Sequence, residues 1–314
     1  KFKNYTLQTL AIDADPQHLK LKAVSDSVSA IVELEGNTRP QGWHGHINNI
    51  DIQTNKYANW QLDKPVVFNF DQQVPLIAHL CLKSPDARLC TKVQRNNELW
   101  QAELETQNLP VKIFGPLLAD NLNFEGMANA TANLQFSPAD QLTGQAHIQL
   151  TPGVIHYPVL EGEQERWEYD SGKINLNFNN QGLNASAEIK LSNNDYLQGQ
   201  LTLPGAKLTQ LDINKQAIQA NVQLKIHDPG LIEVMLPEIH DLKGEVEVVV
   251  SINGVMAQPR LSGHAELLNG ELRIPRLGLS IKKISLTGQS DDFEKLNFHL
   301  TGQSGDGQLN ITGQ

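Results

Sequence analysis

Apolar and polar residues alternate one for one through most of this 314-residue chain. Leu19, Leu21, Ala23; Ala30, Val32, Leu34; Val66, Phe68, Phe70; and Ala130, Ala132, Leu134, Phe136 set the rhythm, which resumes at Leu183, Ala185, Ala187, Ile189, Leu191. A period of two puts successive side chains on opposite faces, so each run reads as a strand with one dry and one wet side. The pattern also repeats at long range: Gly126, Gly144, Gly153 and Pro158 return as Gly244, Gly263, Gly270 and Pro275, and Ile174, Leu176 align with Ile284, Leu286. Self-similarity at a period of about a hundred residues, made of short strands, describes stacked β structure rather than a pocketed globule.

Turn signals separate the runs. Asn180-Gln181-Gly182, Asn193-Asn194-Asp195, Asn253-Gly254 and Asn269-Gly270 supply the positive backbone angles of hairpins, so the strands are expected to be mainly antiparallel. Short helices are expected at Val111 to Leu118 and at Pro229 to Leu236, each ahead of a copy of the repeat. Three segments follow: 1–108 with no clear copy, 109–228 as the first copy and 229–314 as the second, incomplete one. The fold class read from these features is all-β: an elongated, mainly antiparallel, repetitive sheet curled into a trough, with short helices.

Composition narrows the partners. Lys and Arg number 25 against 35 Asp and Glu, a formal charge of −10, which opposes binding to nucleic acid or to an anionic bilayer surface. No apolar run approaches the roughly 20 residues that span a bilayer. Lys1 opens in mid-pattern, so the chain reads as part of a longer protein.

Cys81 and Cys90 flank Ser84-Pro85-Asp86-Ala87, a good β-turn with proline at its second position. Counting back from the turn pairs Lys83 with Arg88, Leu82 with Leu89 and Cys81 with Cys90. A cross-strand disulfide there closes a short loop, is worth roughly 2–3 kcal/mol, and implies an oxidising compartment. The alternative is two unpaired thiols in adjacent strands, and the opposed positions favour the bond.

A sheet with one apolar face must close, curl or cover that face with an apolar ligand. The residues expected to line a trough are Ile148, Leu150, Ile174, Leu176, Phe178, Leu201 and Leu203 in the first copy. In the second they are Val246, Val248, Val250, Ile252, Leu272, Ile274, Leu279, Ile281, Ile284, Leu286, Phe298, Leu300, Leu309 and Ile311. The competing reading is a core packed against a second sheet, since alternation identifies a dry face but not what dries it.

Polar constellations offer little chemistry. His44 and His46 share a strand face without a third ligand at metal-site spacing, and Glu161, Glu163, Glu165 and Glu168 read as a solvated loop. Ser304-Gly305-Asp306-Gly307 reads as a hairpin turn rather than a calcium loop. Gly-x-Ser-x-Gly, Walker, His-Glu-x-x-His and dinucleotide fingerprints are missing, so no enzymatic activity, metal or cofactor is expected.

The segments Leu242-Lys-Gly-Glu-Val-Glu-Val, Asn253-Gly-Val-Met-Ala-Gln-Pro-Arg-Leu-Ser-Gly263, Leu268-Asn-Gly-Glu-Leu-Arg-Ile-Pro-Arg-Leu-Gly278 and Gly307-Gln-Leu-Asn-Ile-Thr-Gly313 resemble the TamB family of Gram-negative envelope proteins. Trp43-His-Gly-His-Ile, Trp60-Gln-Leu-Asp-Lys-Pro and the two-cysteine segment are similar to its central part. The resemblance implies a periplasmic β-taco whose full-length protein is anchored in the inner membrane and meets an outer-membrane barrel partner, TamA. It further implies a role in outer-membrane protein assembly and in carrying phospholipid, through its acyl chains, across the periplasm. The alternative is a scaffold that holds nascent outer-membrane proteins by adding them to its strand edges.

Overall fold

The computed structural model describes residues 7–40, 42–55, 58–71, 76–96, 98–113, 123–137, 141–158, 164–207, 212–227, 238–292 and 295–314. Contacts divide the chain into two units, Lys1–Ala119 with Gly126–Gln149, and Asp120–Glu125 with Leu150–Gln314. Both are all-β, each an open, curled sheet in which every described pairing is antiparallel.

The first unit is a meander. β1 (Leu7–Ala14), β2 (His18–Ser25), β3 (Val28–Arg39) and β4 (Gly42–Thr54) pair in sequence. β5 (Trp60–Leu62) and β6 (Val66–Asp71) both lie along β4, interrupted at Asp63-Lys64-Pro65, where proline lacks a ladder N–H. β7 (Leu76–Lys83), β8 (Arg88–Asn96), β9 (Leu99–Pro110) and β11 (Met127–Ser137) continue the sheet. β12 (Gln141–Leu150) lies beside β11, with Gly144 facing the Asn133 carbonyl.

The break between β5 and β6 has a structural use. Trp60, 8% exposed, packs with Ala87 and Leu109 and against Ile52, Leu82, Leu89 and Ile113. The Asp63 N–H then donates to the Cys81 carbonyl at 2.9 Å, while its carboxylate meets Lys83 at 3.4 Å and Arg88 at 3.2 Å. One interrupted strand therefore ties down the hairpin that carries the cysteines. Cys81 and Cys90 are disulfide-bonded, in the register expected: Lys83 opposite Arg88, Leu82 opposite Leu89, Cys81 opposite Cys90.

The second unit begins with β10 (Asn123–Glu125) against β13 (Gly153–Pro158). β14 (Gln164–Asn179), β15 (Gly182–Leu191), β16 (Tyr196–Pro204), β17 (Ala217–Ile226), β18 (His240–Val255), β19 (Gln258–Ile274), β20 (Leu279–Ser290), β21 (Asn297–Ser304) and β22 (Gly307–Gly313) each pair with the next. Residues 111–113 form one 3-10 turn; the rest of that expected helix, and all of the one expected at 229–236, lie outside the described residues. The expected turn at Asn180-Gln181-Gly182 is formed by Asn180 and Gln181, closed by the Asn179–Gly182 pair, and Ser304–Gly307 is a hairpin turn as expected.

Two of the expected hairpin turns are not where the dipeptides suggested. Asn269-Gly270 lies inside β19, where Asn269 takes φ 53 and the register slips: it is a bulge. Asn253-Gly254 lies inside β18, and the hairpin turns two residues later, closed by the Val255–Gln258 pair. A positive φ serves a bulge as well as a turn, so local sequence does not choose between them. The acidic run also differs: Glu165 and Glu168 belong to β14, while Glu161 and Glu163 lie outside the described residues.

The repeat has a physical basis in how glycines seat their neighbours. Gly126 and Gly244 share nearly the same unusual backbone, φ 133 and φ 135. Gly153 is opposite Tyr169, and Gly270 is opposite Ile284. Among the described residues, Tyr169 and Ile284 are the largest fully buried side chains, 2% and 1% exposed. Each lies over its glycine: a Cβ at Gly153 would come 2.6 Å from the Tyr169 ring, and one at Gly270 would come 2.9 Å from Ile284. The Tyr169 hydroxyl donates to the Glu125 carbonyl at 2.9 Å, fastening β10. The counterpart of Ile284 is thus Tyr169 rather than Ile174, because cross-strand position, not letter similarity, defines the equivalence.

Two stability measurements check this description. Gly153→Val should lower the urea midpoint by the equivalent of about 1–3 kcal/mol through overpacking, whereas Gly199→Ala, whose Cβ would meet only the Asn221 carbonyl at 3.8 Å, should be neutral or slightly stabilising. Replacing both cysteines by serine should cost about 2–3 kcal/mol in the same assay, given a loop of nine-residue separation.

Candidate functional site

In antiparallel sheets directly opposed residues share a face, so the registers of the second unit define rows across its strands. One row runs Ile226, Val246, Leu267, Leu286, Leu300, Ile311. The next runs Ile189, Leu197, Leu224, Val248, Ala265, Gly288, Phe298. Two more are Ile174, Ala187, Gly199, Val222, Val250, Gly263 and Leu176, Ala185, Leu201, Ala220, Ile252, Leu261. Phe178, Leu183 and Leu203 begin a fifth.

These rows collect most of the expected lining residues on one apolar face. Leu272 lies opposite Ile281, Ile274 opposite Leu279, and Leu309 opposite Gly302. Leu150 packs at Gly172, where a Cβ would sit 2.7 Å from its methyl carbon. Ile148 belongs to the first unit and is not grouped with the others. Between Ile281 and Leu286 the side-chain phase changes; Lys283 at φ 51 on β20 and Asn269 on β19 slip together, which keeps both apolar segments on the same side.

Burial separates the residues into classes. Leu150, Leu203, Val246, Ile281 and Ile284 are buried and act as packed framework. Leu279 and Ile311 are 39% and 43% exposed, and the remaining predicted residues are half-buried. Half-burial is what flanking strands give a side chain in a sheet whose face is not covered by a second layer.

Sequence reasoning read Ala185 and Ala187 within the alternation but left the small residues of these rows out of the expected lining. Ala185, Ala187, Gly199, Ala220, Gly263 and Ala265 lie between larger Leu, Ile and Val positions, and a Cβ at Gly199 would meet only the Asn221 carbonyl, at 3.8 Å. Their signal was present in the alternation but carried no apolar bulk.

The opposite face is a lattice of amide and hydroxyl pairs. Asn221 donates to Ser251 at 3.2 Å, Asn175 to Ser186 at 3.3 Å and Thr202 to Asn184 at 3.1 Å. Such pairs satisfy one another across adjacent strands without adding charge. An open cleft of about 500 Å³ is lined by His264, Glu266, Thr287, Gln289, Asn297 and His299, with Gly288 and Phe298. Among the described residues, the one group of three metal-ligand side chains in mutual reach is His79, Cys81 and Cys90; His44 and His46 are not part of one.

Charge is concentrated where β16, β17 and β18 meet. Asp195, 10% exposed in its side chain, accepts from the His227 N–H at 3.0 Å and contacts its Nδ1 at 2.6 Å. His227 Nε2 is 3.6 Å from Glu245, which is hydrogen-bonded to Lys225. That hydrogen bond holds the Glu245 carboxyl below its usual range and raises the Lys225 ammonium above its own. A carboxyl lowered by folding stabilises the fold above its unfolded pKa, and the gain disappears as pH falls through its folded value. Glu245→Gln should therefore flatten the acid side of the stability-versus-pH curve and leave the neutral plateau slightly lower, as read by thermal midpoints across pH.

No helix of the described residues is long and apolar enough to cross a membrane. A family model described as TamB, N-terminal domain, matches residues 3–267. No curated protein and no solved structure matches the chain. With well over half its length matched, together with an all-β antiparallel architecture, the chain belongs to the TamB family of envelope proteins.

Proposed function

We propose that this chain is a non-enzymatic, periplasmic segment of a lipid-transport bridge that moves phospholipid between the inner and outer membranes. The full-length protein would be anchored in the inner membrane and work with the outer-membrane barrel TamA. The observation that carries this reading is the half-exposed apolar face of the second unit, where Val248, Val250, Ile252, Leu286 and Leu300 lie in neighbouring rows.

The energetics favour acyl chains over most ligands for such a face. Burying a methylene gains about 0.8 kcal/mol, so a 16-carbon tail has a gross driving force near 10 kcal/mol before the costs of ordering it. Rows of similar aliphatic side chains offer a tail comparable contacts at successive positions, which permits sliding without a deep trap. The polar headgroup stays in water and needs no dedicated pocket.

A scaffold that captures nascent outer-membrane strands by edge pairing would need backbone edges rather than this face. Photocrosslinking amino acids at Val248 and Leu286 distinguish the two. In cells they should yield phospholipid adducts, while the same probe at Thr287, on the amide-rich face, should not. Protein adducts alone at positions 248 and 286 would overturn the lipid reading.

A further inference from the structure

The hairpin β7–β8 brings a third ligand to its disulfide. His79 and Cys81 are two residues apart on one face of β7, and Cys90 lies opposite Cys81. His79 Nδ1 is 3.7 Å from the Cys81 sulfur, and the ligand atoms of all three residues lie within 4.8 Å of one another. The cysteines are each 6% exposed, whereas His79 is exposed, so the group is walled by protein on one side and open to water on the other.

This is the spacing of a tetrahedral thiophilic site with its sulfurs joined. Zinc–sulfur and zinc–nitrogen bonds of about 2.3 and 2.0 Å put neighbouring S and N ligands about 3.6 Å apart. The imidazole already stands at that separation. The Cα atoms of the cysteines, 4.0 Å apart and fixed by the ladder, keep both sulfurs on the same side once the S–S bond is opened. Glu105, the cross-strand neighbour of Cys90 on that face, adds negative charge beside the thiolates.

We propose that His79, Cys81 and Cys90 form a redox-gated site for a thiophilic divalent cation such as Zn²⁺, closed in the disulfide form and available in the dithiol form. A dithiol or phosphine reductant delivers two electrons, the S–S bond breaks and two protons are taken up as two thiols form. Binding of the cation then releases those protons and forms two metal–thiolate bonds and one metal–imidazole bond, with the fourth position left to water. A small-molecule or protein disulfide reverses this by thiol–disulfide exchange: it accepts the two electrons and is released as two thiols, the Cys81–Cys90 S–S bond closes and the cation is expelled. Disulfide and metal are alternative staples of one hairpin, so its state follows the redox condition of its surroundings.

Cobalt(II) is the probe, because thiolate coordination gives it a charge-transfer absorption. The whole chain reduced with a phosphine should develop that absorption at one equivalent of Co²⁺ and lose it when Zn²⁺ is added. The oxidised chain should show none, and His79→Ala should weaken Co²⁺ binding at least tenfold while leaving disulfide formation under oxidising conditions unchanged. Absence of the absorption in the reduced chain, equal binding by His79→Ala, or equal binding by the oxidised chain would each overturn the proposal. Should the reduced chain lose its strand signal in circular dichroism, the readout becomes refolding. Recovery on adding Zn²⁺ in the native sequence but not in His79→Ala supports the site, and no recovery overturns it.

Discussion

Side chains on the apolar face of the second unit take their burial from the strands on either side, and the rest of the structure answers to that constraint. A single sheet shields each residue laterally but not from above, so most of the rows stop at half-burial. Complete burial is reached only where local geometry adds a further wall. Tyr169 over Gly153 and Ile284 over Gly270 are such places, where the missing Cβ gives a large neighbour a seat and the sheet gains a packed point in each repeat. In the first unit the half-buried Trp43 lies over Gly36 and Gly45, its ring within 2.6 Å of where either Cβ would be.

Keeping one face apolar over many strands demands control of side-chain phase. A one-residue slip would turn the lining outward, yet β19 and β20 both carry such a slip. They carry it together, Asn269 and Lys283 each taking a positive φ, so that Leu267 and Leu286 on one side of the bulge and Leu272 and Ile281 on the other still face the same way. Polar neighbours are chosen for the same reason. Amide and hydroxyl pairs close across the opposite face without the mutual repulsion that rows of like charge would bring.

The first unit uses stronger local fasteners, among them the disulfide, the Asp63 ion pairs and the Trp60 cluster. All converge on one hairpin, which is also where the histidine approaches the sulfurs. A function exercised along a surface suits such a plan. Residues that hold the sheet in shape and residues left accessible are neighbours on the same face, and exposure, rather than chemical type, separates them: Ile284 is buried framework, and Leu286, two positions on along that face, is only half-buried.

Alternation in the sequence determined the strands, the apolar face and most of its members, because a period of two is a local property that backbone geometry translates directly. The cysteine pairing was legible for the same reason, since a proline turn sets the count on both sides of it. Turn against bulge was not legible at Asn269-Gly270, because both need the same backbone angle and only the partner strand decides. Nor did sequence assign the small residues of the rows to the lining, or single out His79 beside the disulfide or Tyr169 as the mate of Ile284. Those depend on which residue stands across the ladder, and register is settled by the tertiary structure, through the hydrogen-bonding and packing of neighbouring strands.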